Sequence, residues 1–160
     1  MDTAFHQLCI DLISSCRRNL LYSTVQCYSC RLINNLEYFF IIACGIIGIV
    51  LGFVVANFGI SDEAKTYIGY SIAGIGITTT GIKTIDGYYG FAKLALTYKK
   101  SSIFYSDKIR LLLLLQADTA KTITEKITEL NTIVQDVDNQ TLALFQAGIQ
   151  NMSQLQASPV

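Results

Sequence analysis

Proline is nearly missing from this chain. Its single example, Pro159, is the second-to-last residue, so nothing upstream forces a helix to stop for want of an amide donor. Long uninterrupted helices are therefore permitted. Charge is scarce as well: 15% of the residues are charged against 51% hydrophobic, and the net charge is zero. Nucleic-acid binding rests on a marked basic excess, so nucleic acid is set aside as a direct partner. Histidine occurs once, as His6, on an amphipathic N-terminal stretch where a surface or packing role suits it better than that of a base. There is no phosphate-binding glycine loop and no nucleophile elbow, so the chain does not read as an enzyme and calls for no cofactor. Residue 2 is Asp2 and not glycine, which excludes N-myristoylation.

The five cysteines, Cys9, Cys16, Cys27, Cys30 and Cys44, are odd in number and do not suggest a secreted disulfide scaffold, so they are expected to be reduced. Cys27 and Cys30 have the CxxC spacing of a zinc half-site. Only His6, Cys9 and Cys16 are available to complete it, from the same expected helix, and one straight helix cannot wrap them around an ion. Cys27 and Cys30 precede the membrane by a few turns and are candidates for palmitoylation; the plainer reading makes them small helix-packing residues.

What the chain does have is a long uncharged run. Tyr38 to Phe58, YFFIIACGIIGIVLGFVVANF, carries no charge and no proline, and 21 residues of helix span roughly 31 Å, the thickness of a bilayer's hydrocarbon core. A soluble helix of that length would show a polar face, and this one has none. A cleaved signal would put its apolar run nearer the start, so this span is expected to stay as an anchor. The polar link GISDEAK follows, with Ser61 or Asp62 placed to cap the next helix. The second run, Thr66 to Ile82, is uncharged but rich in glycine and threonine, and its 17 residues sit at the lower limit for a span. Lys83 and Asp86 can pair at a three-residue offset or let Lys83 snorkel, and the helix then continues through GYYGFAKLALTY.

The expected architecture is an all-α membrane protein: an amphipathic helix over 1–37, a transmembrane hairpin over 38–90 with spans at about 38–60 and 66–89, and a long heptad-bearing helix over 91–160 with a frayed glutamine-rich end. Arg17, Arg18 and Arg31 precede the first span and Lys83, Lys93, Lys99 and Lys100 follow the second core. Both termini are therefore expected on the cytoplasmic or equivalent interior side.

Two faces stand out for packing. In the spans, Gly45, Gly48, Gly52 and Ala56 on the first helix and Gly69, Ala73 and Gly76 on the second allow close backbone approach, within the hairpin or between subunits. In the tail, Ile123, Ile127, Leu130, Val134 and Val137 form an apolar seam that a free helix cannot bury alone. Another copy, the N-terminal helix folding alongside through Leu12 and Leu20, or a different protein would cover it. A third set, Thr78, Thr79, Thr80, Lys83 and Asp86, would line a polar pathway if the protein were a pore. The plain alternative has the threonine hydroxyls bonded to their own helix carbonyls and Lys83 at the interface.

The order of parts, with Arg17, Arg18, Tyr28, Arg31, Tyr98, Tyr105 and Arg110 at their spacings, resembles the two-transmembrane SLATT family over roughly residues 10 to 115. That resemblance implies a membrane effector that oligomerises and opens pores. The layout is also similar to small virion membrane proteins of large DNA viruses, which implies a role in tying a lipid layer to a protein shell. The leading expectation is a two-pass structural membrane anchor, self-associating or part of a larger assembly; the alternative is the oligomeric pore.

Overall fold

The structure, a computed structural model, describes the backbone of residues 2–156 and the side chains of residues 3–147. The described chain is all α-helical: α1 (Asp2–Asn57), α2 (Asp62–Tyr89), α3 (Phe91–Ala117) and α4 (Ile123–Gln156). Two compact units divide it. One combines residues up to Ser29 with those from Lys93 onward, and the other comprises Cys30–Ala92. Helix α1 contributes its first half to one unit and its second half to the other.

The first unit is a three-helix bundle. Phe5, Cys9, Ile13 and Cys16 of α1 meet Tyr105, Leu112 and Leu115 of α3 and Leu130, Ile133 and Val137 of α4, with Leu12, Leu20, Phe104, Ile109 and Leu144 packed around them. The small cysteines let the helices close in while still burying apolar surface. Polar pairs fix the antiparallel register of α3 and α4. The Tyr105 and Thr141 hydroxyls share a hydrogen bond of 2.9 Å, Gln140 Nε2 donates to Ser101 Oγ at 3.0 Å, and Lys108 Nζ lies 2.6 Å from Asp136 Oδ2. Thr141 Oγ1 already donates to the Val137 carbonyl, so Tyr105 is the donor in the shared bond. Shifting either helix by a turn would strand all three partially buried pairs, a stiffer penalty than sliding apolar contacts alone.

The single helix expected over 91–160 is instead two. α3 ends at Ala117, and Asp118 turns the chain by accepting the Ala120 amide at 2.9 Å. Thr122 then opens α4 with a capping box: its Oγ1 accepts the Glu125 amide at 3.4 Å while Glu125 Oε2 accepts the Thr122 amide at 2.8 Å. The tail seam is covered inside the chain, by α1 and α3. Its register also differs from the expected one. Leu130 and Val137 are buried and Val134 is half-buried, but Ile127 is 40% exposed and Ile133, at 8%, takes the interior place. A helix that must face two neighbours at once presents a broader stripe than a two-stranded seam, and the centre of that stripe falls toward Ile133.

The second unit is an antiparallel hairpin of the second half of α1 and α2. Residues 58–61 make the connection, and Ser61 caps α2 by accepting the Ala64 amide at 3.3 Å. Helix α2 does not continue through GYYGF. Gly90 adopts a left-handed backbone, φ 55°, and its amide donates to the Asp86 carbonyl at 2.7 Å, closing the helix at Tyr89. Glycine is the residue that takes this conformation without strain.

Candidate functional site

The hairpin turns its apolar side chains outward. Helix α2 has no buried residue, and large apolar side chains on both helices point outward, among them Ile46, Ile49, Phe53, Tyr67, Tyr70 and Ile77. Among the described residues one helix, within Thr3–Asn57, is long and apolar enough to cross a membrane, and almost none of its apolar stretch is buried. Helix α2 covers the expected second span, but its glycines and threonines dilute its apolar character. Charges are confined to the two ends of the hairpin: Asp62, Glu63 and Lys65 at the tip, Arg31, Glu37, Lys83 and Asp86 at the base. The uncharged helix between them, Thr66 to Ile82, is about 26 Å long.

The hydroxyls of this region are satisfied within their own helix. Ser71 donates to the Tyr67 carbonyl at 3.0 Å, Thr78 to Gly74 at 2.9 Å, Thr79 to Ile75 at 3.0 Å, Thr80 to Gly76 at 2.8 Å and Thr84 to Thr80 at 2.9 Å. With its proton spent on a carbonyl one turn back, a hydroxyl can face hydrocarbon at small cost. Thr78, Thr79 and Thr80 therefore have their donors occupied. Lys83 Nζ lies 5.1 Å from the centroid of the Tyr38 ring, a cation–π contact, and makes no ion pair with Asp86 among those formed by the described residues.

The glycine ladder is not a close contact within the hairpin. Gly48 and Gly52 are half-buried, while Gly45, Ala56, Gly69, Ala73 and Gly76 are exposed. A Cβ added at any of these five glycines would meet no atom within 4 Å. The buried stripe on this part of α1 shares only Gly48 with the ladder. Glu37, Ile41, Cys44, Gly48, Leu51 and Val55 are buried or half-buried at alternating steps of four and three. The same alternation runs back through Cys9, Ile13, Cys16, Leu20, Ser23, Cys27, Cys30 and Asn34, every one of them buried or half-buried. Helix α1 thus carries one unbroken seam with a small or polar residue every seventh place: Cys9, Cys16, Ser23, Cys30, Glu37 and Cys44.

That seam decides the cysteines. None of the five forms a disulfide, and all are buried. Burial pushes the Cys9 and Cys16 thiols up from their ordinary value, with Lys126 and Lys108 opposing the shift at Cys9 and Cys16 respectively. Protonated thiols are inert. Cys27 and Cys30 are each 7% exposed, the burial expected of small helix-packing residues. Among the described residues no three His, Cys, Asp or Glu side chains stand together as a metal cage needs. His6 lines a shallow polar hollow with Thr3, Phe5, Gln116 and Lys126. Comparison with family models, curated proteins and solved structures finds no match to this chain.

Proposed function

We propose that this chain is a two-pass structural membrane protein, whose hairpin anchors it and whose three-helix bundle holds a protein assembly against the membrane surface. The observation that carries this reading is the contrast between the two units. The bundle buries its own apolar core, whereas the hairpin turns its apolar side chains outward, satisfies its hydroxyls internally and keeps charge at its ends. In water such a hairpin would aggregate; in a bilayer each of these features lowers its free energy. Both spans then cross, and the bundle lies on the side favoured by Arg17, Arg18, Arg31, Lys93, Lys99 and Lys100. The bundle retains outward apolar residues with which to hold a protein layer or another copy, including Leu21, Val25 and Tyr28 on α1 and Leu113 and Leu114 on α3.

Topology mapping tests the reading. Accessibility tags at Asp62, in the hairpin tip, and at Asn139, on exposed α4, are expected to report opposite sides of a sealed vesicle. The protein is also expected to stay with the lipid after alkaline extraction. Tags reporting the same side, or release from the lipid, would refute the two-pass anchor.

A further inference from the structure

Glu37 is the last charged residue of α1 before its uncharged stretch, and its surroundings are apolar. It lines a groove of about 500 Å³ whose other walls are Ile33, Leu36, Phe40, Ile82 and Ile85, with Phe39 and Phe91 beside them. One carboxyl oxygen, Oε1, is shut off from solvent and has no hydrogen-bond partner. The facing helix α2 brings two groups of opposite charge, Lys83 and Asp86, within electrostatic reach of Glu37. Lys83 does not close an ion pair with it, because its ammonium is placed over the Tyr38 ring. Phe91, at the start of α3, adds an apolar wall with no titratable group. Ionising a carboxyl with one oxygen so enclosed carries a desolvation cost, which favours the protonated form.

We propose that Glu37 is a proton-binding site at the base of the hairpin. Its protonated form favours the packing of α1 on α2 as observed, and loss of the proton leaves an ionised carboxylate against the apolar groove and loosens it. Burial and the neighbouring Asp86 both push the Glu37 carboxyl up from its ordinary value, and Lys83 pulls it back only in part. A carboxyl that holds its proton more tightly in the packed hairpin stabilises the packing fully below the ordinary carboxylate midpoint. That stabilisation is lost as pH rises through the elevated midpoint. Acidification therefore tightens the base of the hairpin and ionisation relaxes it. The site goes beyond anchoring and stands on the hairpin alone, whether or not the hairpin crosses a bilayer.

The test follows the side-chain carboxyl resonances of glutamate by carbon NMR in the full chain, first in detergent micelles and then in lipid nanodiscs. One resonance, absent from Glu37→Gln, is expected to titrate above those of Glu63, Glu125 and Glu129. Asp86→Asn should lower its midpoint and Lys83→Met should raise it. A pair of spectroscopic labels at Asn35 and Thr84 should move apart as pH passes that midpoint in the native chain, and stay at fixed separation in Glu37→Gln. A Glu37 resonance that titrates with the other three would overturn the proposal, as would a midpoint indifferent to both neighbouring substitutions or a label separation that does not follow it. Failure of the anchor reading would appear separately, in the vesicle topology, and would leave the micelle titration unchanged.

Discussion

Ile133 and Ile127 offer the sharpest test of how α4 is held, because the heptad reading of the tail favours Ile127 whereas the folded bundle encloses Ile133. Both lie on the same helix, so Ile→Ala brings the same small gain in helix propensity at each and the difference reports packing alone. The change removes three side-chain carbons, worth about 0.8 kcal/mol each when taken fully out of water, or roughly 2.4 kcal/mol. At Ile133, 8% exposed within the core cluster, a cavity term adds to this, and the loss is expected at about 3 kcal/mol. At Ile127, 40% exposed, only part of the transfer term applies and water fills the space left behind, so the loss is expected near 1 kcal/mol. Denaturant unfolding of the full chain in mild detergent, followed by the near-ultraviolet circular dichroism of its tyrosines, measures both. Tyr105 is fully buried in the same cluster and reports the bundle. An Ile127→Ala loss equal to or larger than that of Ile133→Ala would show that α4 sits in the heptad register and that the observed packing is wrong.

The capping box gives a second measurement. Thr122→Ala should destabilise the start of α4 by about 1 kcal/mol. The hydrogen bonds from Thr122 hold the Glu125 carboxyl below its usual range, so its stabilising effect is present above the ordinary carboxylate midpoint and is lost as pH falls through the depressed one. Amide protection at the start of α4, measured against the intrinsic exchange rate at each pH, should fall on acidification across that window in the native chain. It should show no such fall in Glu125→Gln, which cannot titrate; the same acid response in both would remove Glu125 from the cap. Gly52→Leu tests the ladder: because a Cβ there meets nothing within 4 Å, hairpin stability in detergent should change by less than about 1 kcal/mol, the size of the gain in helix propensity itself. A clear loss would place the glycine face inside the hairpin after all.

Much of the secondary structure is legible in residue chemistry alone. The uncharged run from Tyr38 and the turn at Ser61 place the end of α1 and its connection to α2, and the absence of internal proline permits what the structure adds, that the amphipathic stretch over 1–37 runs into it as one 56-residue helix. The break at 118–122 is legible too, although heptad counting hides it. Thr122-Ile-Thr-Glu125 has the T-x-x-E spacing of a capping box, and a cap in the middle of a continuous apolar pattern means that one helix has ended. Gly90 carries the corresponding signal for the end of α2, since glycine between two aromatic stretches is where a left-handed residue can be placed. Counting apolar residues misses both because a bundle helix and its neighbour share the same period.

The seam of α1 is harder to read for a physical reason. Periodicity arguments look for large apolar residues, and on this helix many of the large ones point outward: Leu21, Tyr28, Leu32 and Phe39 are all more than half exposed. Every seventh inward position is held by Cys9, Cys16, Ser23, Cys30, Glu37 and Cys44, which contribute little hydropathy and much proximity. Small side chains let a neighbouring helix come near, so the stripe that decides packing is the one that looks least like a core. Glu37 shares that stripe. Read as an isolated charge it marks the water boundary before the first span; read as the seventh-residue successor of Cys30 it belongs on the packed face of the hairpin. Its place in the heptad puts a carboxyl where a cysteine would otherwise sit, and from that position follow its unpartnered oxygen, its retained proton and the control that pH would exert on the hairpin.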